Sequence, residues 1–259
     1  MSIVCSVKNI SFSYTPQRKI LKNISFSTKD GEIIGILGKN GSGKSTLLNI
    51  VAGLVQQYEG NIFLEGKNIK DVTLQERAQR ISYIQQTKFQ IPKYYTVEDF
   101  VIEGRRPFCR FGFYKLEDYS LLDEILTFCD LNDFRQKLLC EMSGGEMQRA
   151  VFARAIIKKA GLYLFDEPCS AMDIKYQKDF FQIAQKVKTL VPCSILVTIH
   201  DINLAIKNCD RILLFHDGRI LYDGAAKEIS ARDLTKAFET AVSNECDSKG
   251  LSRKCFQTS

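Results

Sequence analysis

The run Gly38-Lys39-Asn40-Gly41-Ser42-Gly43-Lys44-Ser45 satisfies G-x-x-x-x-G-K-[ST] at every specified position. The chemistry it supports is the grip of a polyphosphate. Glycines let the backbone curl with its N–H groups turned towards phosphate oxygens, and a helix opening near Lys44 adds the positive end of its dipole. Gly38, Asn40, Gly41, Ser42 and Gly43 are therefore expected to line the phosphates, with Thr46 continuing the contact. Lys44 reaches the β- and γ-groups, and the Ser45 hydroxyl offers a ligand to Mg²⁺. A second chemical pair closes Leu162-Tyr163-Leu164-Phe165-Asp166-Glu167. Adjacent residues of an extended strand point to opposite sides, so the two carboxylates divide the work. Asp166 suits the coordination shell of Mg²⁺, and Glu167 the polarisation of an attacking water.

These groups need elements to hold them. Residues 32–37 form a nearly continuous apolar run ending at the glycine-rich turn, and 162–165 and 195–197 repeat it. That is the pattern of strands buried on both faces, as in a parallel sheet. Helical periodicity runs through 45–54, 96–103, 118–129, 145–159, 175–190 and 201–207. Buried strands feeding helices define an α/β domain, whose ligands gather at the carboxyl ends of the strands. Residues 3–13 and 24–27 alternate apolar and polar, as half-exposed strands do. Residues 211–215 and 219–222 flank His216-Asp217-Gly218 in a hairpin pattern. From about 90 to 140 the chain is helical, aromatic-rich and without buried-strand runs. With the helix that follows, it is expected to form a helical subdomain over about 90–160, inserted into the α/β core. The expectation is a single domain over 1–242 and a polar, flexible tail over 243–259.

Ser143-Gly144-Gly145-Glu146-Met147-Gln148-Arg149 supplies another helix start. By itself S-x-x-E is a capping box, Ser143 to Glu146, and a serine with two glycines is also an anion-binding cap. Its place, 23 residues before Asp166 and 99 after Lys44, resembles the signature of the ABC ATPase family, typically L-S-G-G-Q or a close variant. Other motifs follow in family order. Tyr14 resembles the aromatic residue that stacks on adenine. Ser82-Tyr83-Ile84-Gln85-Gln86 is similar to the Q-loop joining core and helical subdomain, with Gln86 matching the glutamine and Gln85 standing where proline is usual. Ser170-Ala171-Met172-Asp173 resembles the D-loop, with Met172 in place of leucine, and His200 resembles the switch histidine that contacts the γ-phosphate. The resemblance covers about residues 3–238. It implies a P-loop NTPase core with a mainly parallel sheet, an antiparallel β part at the N-terminus, and hydrolysis of ATP with Mg²⁺. It also implies Glu167, His200 and Gln86 as catalytic residues, and Ser45, Gln86 and Asp166 as Mg²⁺ ligands. Tyr14, Ser143, Gly144, Gly145 and Asp173 become nucleotide contacts. In this family two subunits pair head to tail around two ATP molecules, so a homodimer is implied, each signature facing the partner's P-loop.

Composition sets outer bounds. The 259 residues are 45% apolar and 25% charged, enough to bury a sizeable core. No window supplies the roughly 20 apolar residues of a membrane span, and the first residues lack the regions of a signal peptide. Nine cysteines without a C-x-x-C pair read as reduced thiols, and two distant histidines argue against structural zinc. The net charge of +6 suits an anionic membrane surface, a nucleic acid or a nucleotide, and decides nothing alone.

With no spanning helix of its own, a transport reading requires a separate multi-span membrane permease. Residues 95–107 carry Thr96-Val97, Val101, Gly104-Arg105 and Pro107, resembling the T-V-x-x-x-V-x-x-G-R-x-P pattern of iron-siderophore, haem and cobalamin importer ATPases. The plainer alternative is that Arg105, Arg106 and Arg110 form a solvated basic turn. The importer reading implies an extracytoplasmic substrate-binding protein acting through the complex, no nucleic acid, and a peripheral position on the cytoplasmic face of the inner membrane. An exporter subunit is the closer rival. An ABC ATPase working on nucleic acid or the ribosome fits less well, because the chain has one P-loop and no long heptad run.

Overall fold

The computed structural model describes residues 2–85, 94–168, 174–239, 242–245 and 255–258. Two antiparallel strands open the chain, β1 (Ile3–Thr15) and β2 (Arg18–Lys29), and their alternating sequences produce alternating burial. β3 (Ile33–Gly38) is buried at every position and runs through the glycine-rich turn into α1 (Lys44–Val51). A hairpin follows, β4 (Glu59–Leu64) and β5 (Lys67–Asn68), turned at Glu65-Gly66 with φ of 49° and 82°. α2 (Leu74–Arg80) leads directly into β6 (Ile81–Ile84).

Three helices then come in succession, α3 (Val97–Ile102), α4 (Leu116–Phe128) and α5 (Gly144–Ile156). The rest alternates, with β7 (Leu162–Phe165), α6 (Ile174–Leu190), β8 (Ser194–Thr198), α7 (Ile202–Asn208), β9 (Arg211–His216), β10 (Arg219–Ala225) and α8 (Ala231–Phe238). Within the stretch read as a tail, β11 (Val242–Glu245) pairs antiparallel with β12 (Cys255–Thr258).

β2, β1, β4 and β5 lie side by side in an antiparallel sheet, and a six-stranded sheet runs in the order β10-β9-β3-β8-β7-β6. Its strands are parallel except for the β9–β10 hairpin. The period-two alternation of strands divides the core between its two faces. Leu37, Phe165, Val197 and Leu214 pack with the helices from α3 to α8. Ile36, Leu164, Leu196 and Phe215 pack on the other face with α1 and the antiparallel sheet. The fold is thus an α/β P-loop core with an antiparallel part at the N-terminus. Strands β3, β7 and β8 are adjacent and parallel, so their carboxyl ends open onto one edge.

The importer-like segment has a packing reason. A methyl group at Gly104 would collide with the Arg154 carbonyl of α5, so glycine lets the turn after α3 lie against that helix. Arg105 is no solvated basic residue. Its Nε donates to Asp118 Oδ1 at 2.7 Å, with both side chains largely buried.

Candidate active site

The glycine-rich loop takes its shape from close contacts. Gly43 precedes α1 with φ of 104°, and a Cβ there would lie 2.7 Å from Leu21 Cδ2. Only glycine meets both demands. Lys44 is buried, and its Nζ donates to the carbonyls of Gly38 (2.8 Å) and Lys39 (2.9 Å) across the loop. Burial pushes its pKa down, against the pull of the Glu167 and Asp166 carboxylates, and the net effect is a lowered value. Ser42 Oγ is buried in the loop with no hydrogen-bond partner among the described residues.

Beside Lys44, the end of β7 presents Asp166. This carboxylate is buried, and Oδ1 accepts from Ser45 Oγ (3.0 Å) and Thr198 Oγ1 (2.8 Å). At Glu167 the backbone enters the left-handed region, φ 51°, which turns its side chain away from that of Asp166. The Glu167 N–H donates to Thr198 Oγ1 at 2.7 Å, so one hydroxyl ties the acidic pair to β8. Two residues beyond Thr198, His200 places Nε2 2.5 Å from Glu167 Oε1. The Glu167 side chain is 12% exposed and that of His200 40%.

A cleft of about 440 Å³ lies over these groups, lined by Tyr14, Asn40, Gly41, Gly43, Lys44, Ser45, Thr46 and Glu167 of the expected residues. Arg18 and Ile20 also line it, and the sequence reading named neither. Tyr14 is exposed, with its hydroxyl 3.4 Å from Thr46 Oγ1 and its ring in an edge contact with Phe12 at 4.7 Å. Thr198 was missed as well; its signal is position alone, a hydroxyl ending a buried strand beside an acidic pair. So was Lys39 Nζ, which pairs with Glu239 Oε2 at 2.6 Å beyond the end of α8.

Ser143, Gly144 and Gly145 are not brought to this cleft. Ser143 caps α5, with Glu146 N donating to its hydroxyl (3.4 Å) and its own N–H donating to Glu146 Oε2 (2.9 Å). Ser143 and Gly144 are exposed, so this helix start faces away from the chain. α5 still touches the catalytic strand's exit, because Gln148 Nε2 donates to the Pro168 carbonyl at 2.9 Å. Gln86 and Asp173 lie outside the described residues.

The sequence profile of the ABC transporter family matches residues 21–170. The petrobactin import ATP-binding protein FpuC of Bacillus anthracis is 31% identical over 231 residues, 88% of this chain and 84% of the relative. The hemin import ATP-binding protein HmuV of Bradyrhizobium diazoefficiens is 32% identical over 241 residues, 90% and 87% of the two chains. Among solved structures, an ABC transporter described as metal-chelate type, in an inward-facing conformation, superposes with a TM-score of 0.82. That match is 24% identical over 99% of this chain and 96% of the other, and shows the fold. The chain belongs to the ABC transporter family. Within it, this is an ATP-binding subunit, an ATPase of the kind that drives transport. Among the described residues no helix is long and apolar enough to cross a membrane.

Proposed function

We propose that this chain is the motor of an importer for iron-siderophore, haem or cobalamin-type ligands, working as a homodimer against the cytoplasmic face of a multi-span permease. An extracytoplasmic binding protein delivers the ligand. The observation that carries the motor reading is the convergence of Lys44, Asp166, Glu167 and His200 at the ends of three adjacent parallel strands. The import direction draws on the relatives named for petrobactin and hemin import.

ATP lies in the cleft with its adenine on Tyr14 and its phosphates in the loop. Lys44 exchanges its two carbonyl partners for phosphate oxygens, and Ser42 Oγ gains a partner. Ser45 Oγ and Asp166 Oδ1, 3.0 Å apart, are hard oxygen donors of the kind Mg²⁺ prefers, so the pair fits that ion. Ser45 and Asp166, with Gln86, would hold the ion, which would supply neutralisation of phosphate charge. Glu167 accepts a proton from the attacking water as the water oxygen bonds to the γ-phosphorus and the bridge to ADP breaks. His200 holds the Glu167 carboxylate in place and faces the γ-phosphate. Asp173 and the partner's signature complete the enclosure. The start of α5, exposed at Ser143 and Gly144 with Gly145 buried behind them, serves the partner subunit's nucleotide, in keeping with its distance from its own cleft.

The permease has a seat on this surface. A groove of about 530 Å³ runs between α2, α5 and the turn after α3, with Leu74, Ala78, Pro107 and Val151 along its wall. Leu74 is 77% exposed. At its floor, burial and the neighbouring Arg154 push the Lys158 pKa down to about 8.

The test is ATP hydrolysis by the wild-type subunit and Glu167→Gln, each with and without the permease encoded beside it. Hydrolysis that rises with the permease and vanishes in the variant is expected. A rate indifferent to the permease sinks the transport reading, and an equally active variant sinks the role of Glu167.

A further inference from the structure

Three large apolar side chains stand almost clear of the protein within six residues. Phe111 is 97% exposed, Phe113 77% and Leu116 84%. Apolar residues scattered singly on a surface need no explanation, but three within six residues, two on a turn and one opening α4, do. Arg110 and Phe113 form an antiparallel bridge across Phe111 and Gly112, whose φ values are 55° and 81°. A bulky aromatic residue in the left-handed region is an outlier, a strain that folds retain at working sites.

The base of this turn is fixed. The ion pair between Arg105 and Asp118 pins its two roots together, and Asp118 Oδ2 also accepts the Lys115 N–H at 2.9 Å. The Arg105 guanidinium stacks on Phe108 at 3.8 Å. Tyr114, between the exposed residues, packs inward on the helical core. Phe111, Phe113 and Leu116 are therefore held outward by a rigid foot. Exposed Arg106, Arg110 and Lys115 flank them, against one exposed acid, Glu117.

We propose that residues 109–116 form a finger that inserts its aromatic tip into the anionic lipid surface beside the permease. The proposal rests on the reading that the subunit works at a membrane. Arg106 and Pro107 line the groove assigned to the permease, so a subunit docked there carries the finger next to the bilayer. Aromatic side chains with Arg and Lys beside them are the composition of an interfacial anchor. A side chain as exposed as Phe111 stands on a convexity. A fluid bilayer accommodates that shape, whereas a folded partner does so only with a matching pocket.

The chain contains no tryptophan, so Phe111→Trp installs a single indole at the tip. The full chain is mixed with phosphatidylcholine vesicles containing phosphatidylserine, and with phosphatidylcholine vesicles alone. A blue shift and quenching by brominated acyl chains are expected on the anionic vesicles, weakening with salt. Arg110→Gln with Lys115→Gln lowers partitioning roughly 25-fold, about fivefold per charge. Phe111→Ser with Phe113→Ser abolishes co-sedimentation and leaves the thermal midpoint in place. No shift, equal binding to neutral vesicles, binding retained by the serine variant, or a shift that needs detergent-solubilised permease each overturns the finger. Permease-stimulated hydrolysis without vesicle binding sinks the finger and leaves the transport reading standing. Vesicle binding without that stimulation does the reverse.

Discussion

Glu167 presents its carboxylate 2.5 Å from His200 Nε2, and the two residues reach that contact from the ends of adjacent parallel strands. The positive φ at Glu167 makes the meeting possible, because the side chain leaves the line of β7. His200→Ala is expected to lower kcat on the order of a hundredfold or more, the scale of a lost proton-transfer or orienting group. Nucleotide affinity stays within a few-fold, since the phosphate loop is untouched. Steady-state hydrolysis paired with fluorescent-nucleotide titration reads both, and an affinity loss matching the rate loss contradicts this assignment.

Thr198 is the hub behind that pair. Its hydroxyl donates to Asp166 and accepts from the Glu167 N–H. Thr198→Val leaves a backbone donor without its partner, which costs about 1–3 kcal/mol of stability. It also releases both acidic residues from β8, so kcat falls. Thr198→Ser keeps the hydroxyl and recovers most of each effect. Urea unfolding and hydrolysis rates for the two variants decide the matter; a valine variant that behaves as wild type removes the hub.

Gly43→Ala meets two obstacles, the Leu21 side chain and a φ of 104°. Adding Leu21→Ala relieves the first and leaves the second. Nucleotide binding is therefore expected to weaken tenfold or more in the single variant, about 1.4 kcal/mol, and to recover only in part in the double. Full recovery shows that sterics alone shape the loop.

Arg105→Ala strands a buried carboxylate. Burial opposes ionisation of Asp118, but the Lys115 N–H and the Arg105 guanidinium outweigh it and hold its pKa below the ordinary value. The resulting stability is present above the unfolded value of about 3.9 and is lost as pH falls through the lower folded one. In the variant, desolvation loses its main opponent and the pKa rises. The expected loss is about 3 kcal/mol at neutral pH, narrowing as acid protonates Asp118. Denaturant melts at pH 7 and in mild acid measure the gap; a gap that does not narrow removes Asp118 as its source.

The parts of the fold legible in the sequence are those with two buried faces. β3, β7 and β8 are buried at every position, so their apolar runs admit one reading, and the chemical residues at their ends come with them. α2 escaped because it has no buried residue and hence no apolar stripe; a Thr73–Glu76 capping box starts it instead. β6, four residues long, coincides with the segment that resembles the loop around Gln86, and so short a strand carries no period of its own. Within the site, Lys44, Ser45, Asp166, Glu167 and His200 follow from strand ends. Thr198 does not, because one of its two partners is a backbone N–H whose direction depends on one left-handed residue. Arg18 opens β2 just after the turn from β1, which no motif marks.

The pairing of Lys39 with Glu239 joins positions 200 residues apart in sequence. While the contact holds, the loop's second cation is cancelled by the end of the last long helix. Whatever displaces α8 returns that charge to the phosphate site, well inside a Debye length. Linkage makes the effect mutual: a change in nucleotide affinity on freeing Lys39 is matched by an equal pull of nucleotide on the Glu239 contact. Both side chains are open to solvent, so the conversation between helix and loop fades as ionic strength rises.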